Sequence, residues 1–167
     1  MIVRETNTNR PQPLPVDQHG IPDVLKRRPQ WVRWRYEERD GYFTKVPYCA
    51  TAFKRASSSD LLTWSTFGAA WAGLDVDSFD GIGFMFCSGD PFVGIDLDKC
   101  RDPETGEIEE WAREILESFE NAVHVEVSPS GRGIHLITRG QLTKGFNRDQ
   151  VEMYAQCRFF TVTGRVL

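Results

Sequence analysis

Short apolar runs of strand length dominate this chain, and glycine, proline, serine or acidic residues separate them. The runs are WVRWRY, GIGFMFC, FVGIDLD, AVHVEVS, IHLIT, VEMY and RFFTVTG. One stretch, DPETGEIEEWAREILESF, has the apolar spacing of a long amphipathic helix. An order of strands, one long helix and further strands is typical of the α+β class, so α+β is the predicted fold class.

Two pairs of neighbouring runs predict β-hairpins. In the first pair, WVRWRY and YFTKVPY flank Asp40-Gly41, a dipeptide typical of tight hairpin turns. In the second pair, GIGFMFC and FVGIDLD are separated by the turn sequence Ser88-Gly89-Asp90-Pro91. Each pair is therefore expected to form two adjacent antiparallel strands.

The remaining segments predict an N-terminal arm and two more helices. Residues 1–20 are polar and proline-rich, so they are interpreted as a flexible arm, or an arm that lies on the surface, before a single domain, residues 21–167. A short helix is predicted within 22–28. A second helix is predicted over roughly 60–73, after a basic, serine-rich loop at 51–60 whose last residues can cap it.

Composition argues against a membrane or exported protein. No apolar run approaches the roughly 18 residues of a bilayer-spanning helix, and the N-terminal segment MIVRETNTNRPQPLPV lacks the apolar stretch of a signal peptide. The cysteines form no CxxC pair, which disfavours a zinc ribbon. The sequence therefore predicts a cytoplasmic protein with reduced cysteines and no membrane contact.

Charge is distributed unevenly along the chain, whose net charge is −4. Residues 1–60 and 128–167 each carry a net +4, whereas residues 61–127 carry −12. An acidic middle between two basic ends fits a metal-binding segment flanked by phosphate-binding segments. The alternative is a solvated acidic helix, because Glu107–Glu120 supplies much of the acidic excess.

The acidic pair in Asp96-Leu97-Asp98 is the first candidate for chemistry. Alternate side chains of a strand share a face, so both carboxylates point the same way while Ile95 and Leu97 point into the core. Two ionised carboxylates so close together repel each other, and a divalent cation between them removes that repulsion. Oxygen ligands favour Mg²⁺ or Mn²⁺. The alternative is an acidic strand end that binds nothing.

Two later segments supply further candidate site residues. Ser128-Pro129-Ser130-Gly131-Arg132-Gly133-Ile134-His135 is a glycine-containing turn that leads into a strand. Glycines let backbone N–H groups approach an anion, and the serine, arginine and histidine side chains add donors. Glu152 lies on a later predicted strand, and Arg158 follows it. By itself, the turn is equally consistent with a hairpin loop that binds nothing. Glu152 is more typical of a solvated strand residue, and Arg158 of a surface arginine.

In this order, the motifs resemble the catalytic core of the archaeo-eukaryotic primase superfamily, specifically its phage and plasmid primase-polymerases. The resemblance runs from about Gln30 to Gly164. The matching strings are WVRWRY…TKVPY, KRASSSD…TW, GIGFMF…DPFVGIDLDKC, WAREIL, VSPSGRGIHLITRG and VEMY…RFFTVTG. The resemblance implies an RRM-like, mostly antiparallel or mixed sheet with flanking helices.

The resemblance implies that three acids hold the catalytic metal ions. The family's DxD motif matches Asp96 and Asp98, and its third, acidic motif matches Glu152. Family members often have aspartate at the third position. Because glutamate reaches further, the geometry around the metal ions is expected to differ from that of such relatives.

The resemblance also implies a nucleotide-binding set. The family's serine-to-histidine motif binds the phosphates of the incoming nucleotide, and its spacing here is longer than in the superfamily at large but like that of phage members. The residues that match it are Ser130, Gly131, Arg132, Gly133 and His135. Arg158 matches a basic residue that follows the third acid, with a phosphate-binding role. Lys45, in the TKVPY string, is assigned to nucleotide or template contact.

The implied activity is template-dependent nucleotidyl transfer from dNTPs or NTPs with two Mg²⁺ or Mn²⁺ ions. The implied partners are a single-stranded DNA template and a primer, and the implied location is the cytoplasm of a bacterial or phage-infected cell. The basic ends of the chain would contact nucleic-acid backbones. Trp31, Trp34 and Tyr36 either stack on bases or belong to the core.

Two other function classes remain open. One is a module of the same fold that binds nucleotide or single-stranded nucleic acid without turnover. The other is a metal-dependent nuclease, which would also use clustered acids but has no need of a triphosphate-binding SGRGIH turn.

Phage relatives continue into a helical region and often a helicase, so the chain is expected to belong to a longer polypeptide that contains such regions. On that expectation, residues 1–167 bind nucleotide and metal and extend primers, but they prime poorly alone.

Overall fold

The computed structural model describes residues 10–74 and 78–167. Within these ranges, the chain forms three α-helices and nine β-strands. The helices are α1 (Asp23–Lys26), α2 (Phe67–Ala72) and α3 (Glu110–Ser118). The strands are β1 (Trp31–Arg39), β2 (Tyr42–Tyr48), β3 (Gly81–Phe86), β4 (Phe92–Leu97), β5 (His124–Val127), β6 (Ile134–Arg139), β7 (Phe146–Arg148), β8 (Val151–Tyr154) and β9 (Arg158–Val162). These elements confirm the α+β class.

The strands form two sheets in which neighbouring strands are antiparallel. The first sheet has the order β2-β1-β3-β9, and the second has the order β5-β6-β4-β8-β7. The mostly antiparallel pairing is confirmed, although the strands are shared between two sheets rather than gathered in one. The chain leaves the first sheet after β3, builds the second sheet, and returns to the first with β9.

The first predicted hairpin is confirmed, with Arg39 opposite Tyr42. Asp40 and Gly41 both have positive φ values, 52° and 83°. Two successive residues in this region are typical of a type I′ turn, whose twist matches that of the paired strands. Local turn chemistry therefore sets the register of β1 and β2.

The second predicted hairpin is wrong, because β3 and β4 belong to different sheets. β3 lies between β1 and β9, while β4 lies between β6 and β8, so each already has a partner on both sides. In the loop between them, the Asp90 carboxylate accepts hydrogen bonds from the Gln30 side chain at 2.5 Å and the Cys87 backbone N–H at 3.4 Å. The turn sequence carries the chain from one sheet to the other.

The helix predicted over 60–73 is two shorter elements. The Asp60 side chain caps a 3-10 turn, and the Thr66 side chain caps α2. Between them, Ser65 exchanges two backbone hydrogen bonds with Trp31 on β1, at 2.9 and 3.0 Å. This strand-like pairing with a distant residue interrupts the helix.

The other two predicted helices are present. The short helix within 22–28 is α1, and the long amphipathic helix is α3. α3 begins at Glu110, later than the apolar pattern indicates, because the Asp102 side chain accepts the backbone N–H groups of Glu104 and Thr105 and folds that segment into a loop. The short strand β7 carried no sequence signal.

β4 divides the core of the protein. Its residues Ile95 and Leu97 are buried on the side that α3 covers, as predicted. On the opposite side, Gly94 faces the first sheet, where the ring of Phe160 fills the space beside it. Asp96 follows Gly94 in this second row. The acid therefore lies on the face between the two sheets.

The predicted N-terminal arm, residues 1–20, falls partly outside the described residues. From Arg10 onward, the segment lies along the domain: Arg10 forms an ion pair with Asp80 at 2.6 Å, and the Leu14 backbone N–H donates to the Pro129 carbonyl at 2.8 Å. The boundary at residue 20 stays a prediction. Within the described part of the chain, no helix has the length and apolarity needed to span a membrane.

Candidate active site

A row of polar side chains crosses the second sheet on the face that is directed toward the first sheet. Asp96 on β4 lies directly opposite Glu152 on β8 and His135 on β6. His135 in turn lies opposite Glu126 on β5, and Glu152 lies opposite Asn147 on β7. Cross-strand partners share a face with Cβ atoms about 5 Å apart. Five strands therefore contribute to one continuous row.

Asp98 extends the row beyond the end of β4. Its backbone N–H donates to the Gln150 carbonyl at 2.9 Å, and Lys99 follows with a φ of 53°, which turns the chain away. The predicted DxD pair thus has one carboxylate on the strand and one just past it. The Asp96 side chain is 33% exposed, so it is accessible to a ligand.

The three acids Asp96, Asp98 and Glu152 offer carboxylate oxygens, the ligands that Mg²⁺ and Mn²⁺ prefer. Asp96 and Glu152 are direct cross-strand partners, and like charges in that position destabilise a sheet. A divalent cation would remove this cost, so the donor set fits such an ion. The side chains do not converge: the described residues contain no group of three or more His, Cys, Asp or Glu positioned to hold a metal ion.

Two neighbours that the sequence analysis did not identify hold Glu152. The Asn147 amide donates to one carboxylate oxygen at 2.8 Å, and the Tyr154 hydroxyl donates to the other. Burial, together with the Glu152 carboxylate, raises the pKa of Tyr154 to about 12, so the hydroxyl keeps its proton and stays a donor. A signal for Tyr154 was present, because it shares a strand face with Glu152.

The turn before β6 is stabilised from within. The Ser128 hydroxyl accepts the Gly133 backbone N–H at 3.1 Å, and the Ser130 hydroxyl accepts that of Arg132 at 3.2 Å. Gly131, with a φ of 74°, donates its N–H to the Ser128 carbonyl. The backbone donors that were expected to approach an anion thus already have partners. The Ser130 and Arg132 side chains are exposed, and the phosphate-binding role of the turn stays a prediction.

Gly133 brings this turn against the end of β4. A Cβ atom at this position would lie 2.8 Å from the Leu97 carbonyl oxygen and 3.6 Å from the Asp98 Cα atom. A side chain would force the two segments apart. The glycine therefore holds the turn beside the second acid of the DxD pair.

A small cavity of about 150 Å³ lies between the polar row and the first sheet. The predicted site residues in its lining are Lys45, Asp96, His135, Glu152 and Arg158. Asp98 and the turn residues 130–133 lie outside this lining. The structure thus brings together acids from the second sheet and cations from the first.

The two basic residues of the cavity are held by packing. Burial lowers the pKa of Lys45, while the charges of Asp96 and Asp98 oppose that shift. The Arg158 guanidinium stacks over the Tyr154 ring, 4.5 Å from its centroid. Neither Lys45 nor Arg158 forms an ion pair with a carboxylate among the described residues, so both are available to an anion in the cavity.

A larger cavity of about 470 Å³ lies beside the loop at 51–60. The two cavities share Arg158 and Phe159. Ser57 and Ser58 also line the larger cavity, and its described lining includes no acid. The larger cavity therefore offers hydroxyl and guanidinium donors and no acid among its described lining residues, a polarity that suits phosphate groups.

Of the two interpretations of Trp31 and Trp34, the core is confirmed over base stacking, because these residues are 0% and 1% exposed. The Trp31 indole donates to the Leu25 carbonyl at 3.1 Å. Tyr36 is half-buried and packs edge-on against Trp34, with ring centroids 5.1 Å apart. The aromatic run of β1 builds the core and the hairpin.

Comparisons with known proteins give one clear relationship. The chain is 40% identical over 150 residues to a curated protein named "DNA Primase-polymerase" from Nitratiruptor phage NrS-1, and the alignment covers 86% of this chain. The alignment covers 20% of that relative, so the chain spans about a fifth of its length. No protein-family model matches the chain.

Proposed function

Because the chain is homologous to part of a phage DNA primase-polymerase, we propose that it is a nucleotidyltransferase domain of that kind. The reaction would add nucleotides from dNTPs or NTPs to a primer on a single-stranded DNA template. One observation carries the proposal: the facing acids Asp96 and Glu152 share a cavity with the cations Lys45 and Arg158.

The side chains of this cavity suit phosphoryl transfer, which depends on positioning and charge stabilisation rather than on a nucleophilic side chain. Asp96, Asp98 and Glu152 would hold two Mg²⁺ or Mn²⁺ ions, which supply activation of the primer 3′-hydroxyl and neutralisation of the leaving pyrophosphate. Lys45 and Arg158 would donate to oxygens of the triphosphate.

The turn before β6 and the larger cavity would bind further parts of the substrates. The exposed side chains of Ser130 and Arg132 lie on the turn that Gly133 holds beside Asp98, where they would donate to the triphosphate. The larger cavity, with Arg158 and its seryl hydroxyls, is the proposed binding place for phosphates of a nucleic-acid strand.

Incorporation of labelled dNTPs on primed and unprimed single-stranded DNA tests the proposal, with Mg²⁺ or Mn²⁺ and a chelator control. We expect primer extension that depends on template and metal and is lost in the Asp96→Ala/Asp98→Ala double variant. Binding of dNTP without incorporation would favour a binding module. Degradation of the labelled DNA without any need for dNTP would favour a nuclease.

Lys45→Met should weaken nucleotide binding more than it slows the chemical step. Methionine preserves most of the side-chain packing but removes the ammonium group. A hydrogen bond to a charged group contributes about 1.5–3 kcal/mol, so KM for dNTP should rise about 10- to 150-fold. Steady-state incorporation at varied dNTP concentration measures this change.

Lys144→Met is the matched control, because Lys144 is exposed and lies outside the lining of both cavities. Its KM should equal that of the wild type. An unchanged KM in Lys45→Met would remove Lys45 from the nucleotide-binding set.

A further inference from the structure

A buried carboxylate that the proposed reaction does not use lies at one end of the polar row. Glu126 on β5 is 1% exposed, and glutamate is rarely buried this deeply unless its charge is compensated. Its oxygens accept the backbone N–H groups of Thr163 and Gly164 at 2.7–3.0 Å. They also bond His124 Nε2 at 2.8 Å and His135 Nδ1 at 3.4 Å.

The charge state of Glu126 determines which atom of His135 carries the proton. Burial acts to raise the pKa of Glu126, but the hydrogen bonds and the charges of His124 and His135 together outweigh burial and lower it to about 2. An ionised carboxylate only accepts hydrogen bonds. The shared proton therefore belongs to Nδ1 of His135, and Nε2 points toward the cavity, 3.7 Å from Asp96 Oδ1.

The His135 ring is also constrained by aromatic stacking, but stacking alone permits two orientations of the ring. Phe160 from the first sheet stacks on it, with ring centroids 4.9 Å apart and an angle of 27° between the planes. Stacking fixes the plane of the ring but not its orientation within that plane, because a half-turn about the Cβ–Cγ bond leaves the plane unchanged. A half-turn exchanges the positions of Nδ1 and Cδ2. Only a hydrogen-bonding partner beside one of these positions selects between the two orientations, and Glu126 lies there.

Glu126 is itself held in a fixed position. Gly164, which donates to it, has a φ of 64°, and a Cβ atom there would lie 1.9 Å from the Asp17 carbonyl oxygen. The Thr163 hydroxyl donates to the Val127 carbonyl at 2.7 Å. The carboxylate is therefore bound to backbone that close packing holds in place.

We propose that Glu126 is a positioning residue, which selects the His135 ring orientation that presents Nε2 to the cavity. The use of that nitrogen by the nucleotide rests on the proposed function, whereas the ring geometry does not. His124 bonds the other carboxylate oxygen and keeps the carboxylate from rotating.

The orientation can be read directly from the tautomer of His135. In the ¹⁵N-labelled 167-residue protein at about pH 8, two-bond ¹H–¹⁵N correlations distinguish Nδ1–H from Nε2–H rings. His135→Gln and His124→Gln assign the two signals. We expect the Nδ1–H pattern for His135 in the wild type.

Glu126→Gln should reverse this pattern. The glutamine oxygen is expected to take the side bonded by His124 and Gly164, which turns its NH₂ group toward Nδ1 of His135. Nδ1 then has to accept, so the ring becomes the Nε2–H tautomer. An Nε2–H ring in the wild type, or an unchanged ring in a folded Glu126→Gln protein, would overturn the proposal. If this variant does not fold, the wild-type pattern decides.

Activity gives an independent readout. Loss of a residue that orients another functional side chain typically costs about 10- to 100-fold, and Glu126→Gln should lower kcat/KM by that factor. In a His135→Ala background, the same substitution should cause no further loss, whereas additive losses would contradict a role through His135. If the wild type incorporates no nucleotide, the proposed function fails while the NMR result still stands.

Discussion

Asp96→Asn should lower the rate of nucleotide incorporation by roughly a thousand-fold or more without unfolding the protein. Asp96 occupies the centre of the polar row, opposite both Glu152 and His135. Loss of one preorganised electrostatic group typically costs 10²- to 10³-fold, and weaker metal binding adds to this loss. Asparagine has the same shape but no charge, so the repulsion with Glu152 disappears. The melting temperature should therefore stay unchanged or rise slightly.

Single-turnover incorporation and thermal denaturation with and without Mn²⁺ measure both effects. Mn²⁺ should raise the melting temperature of the wild type, because it binds the folded state, and have little effect on Asp96→Asn. Asp40→Asn is the control: it makes the same change in the exposed hairpin turn, where the positive φ also suits asparagine. Activity of Asp96→Asn within tenfold of the wild type would disprove the assignment of Asp96.

Gly94→Val should destabilise the protein by at least about 3 kcal/mol. A Cβ atom at Gly94 would lie 2.6 Å from Phe86 Cζ and 2.7–2.8 Å from ring atoms of Phe160, and both rings are buried between the sheets. Overpacking by added methyl groups typically costs about 1–3 kcal/mol, and a β-branched side chain against two rings exceeds that range. The melting temperature should fall by about 6–12 °C.

Gly68→Ala is the matched control for the effect of losing a glycine. Gly68 lies in α2, and apart from its chain neighbours and the backbone of its own helix, no described heavy atom lies within 4 Å of the position that its Cβ would occupy. Alanine should therefore stabilise the helix by about 0.5–1 kcal/mol. Chemical denaturation gives both values. A Gly94→Val protein within about 0.5 kcal/mol of the wild type would show that the two sheets separate easily at this point.

The features that depend on neighbours in the chain could be predicted from the sequence. Asp40-Gly41 specifies its turn through the conformations that these two residues tolerate, so the first hairpin could be predicted. The alternation in Ile95-Asp96-Leu97 likewise gave the correct faces of β4. In both cases, the deciding contacts lie within a few residues.

Pairing between distant segments could not be predicted in this way. The turn at 88–91 indicates a change of direction, but it does not tell whether the next strand joins the same sheet. The helix over 60–73 failed for the same reason, because Ser65 bonds to Trp31, a residue far away in the chain. Apolar spacing alone describes neither contact.

The candidate site contains residues that a local pattern predicts and residues whose role depends on pairing between distant segments. The residue pattern singled out Asp96, but Glu152 looked like a solvated strand residue until the family resemblance placed it. The register of β4 with β8 sets Glu152 opposite Asp96. The role of Glu126 could not be predicted because it depends on which strands are neighbours, whereas Tyr154 shares a strand face with Glu152 and had a signal in the sequence.

The return of the chain to the first sheet has a consequence for folding. Phe84 on β3 pairs with Phe160 on β9, and all strands of the second sheet lie between them in the chain. Closing such a long loop costs entropy that hairpin pairings avoid, and it slows folding. We expect the local pairings of β5 with β6 and β7 with β8 to form early and β9 to dock late. Because β9 carries Phe160, which stacks on His135, an incompletely folded chain would have no assembled site, and activity would appear with the last strand.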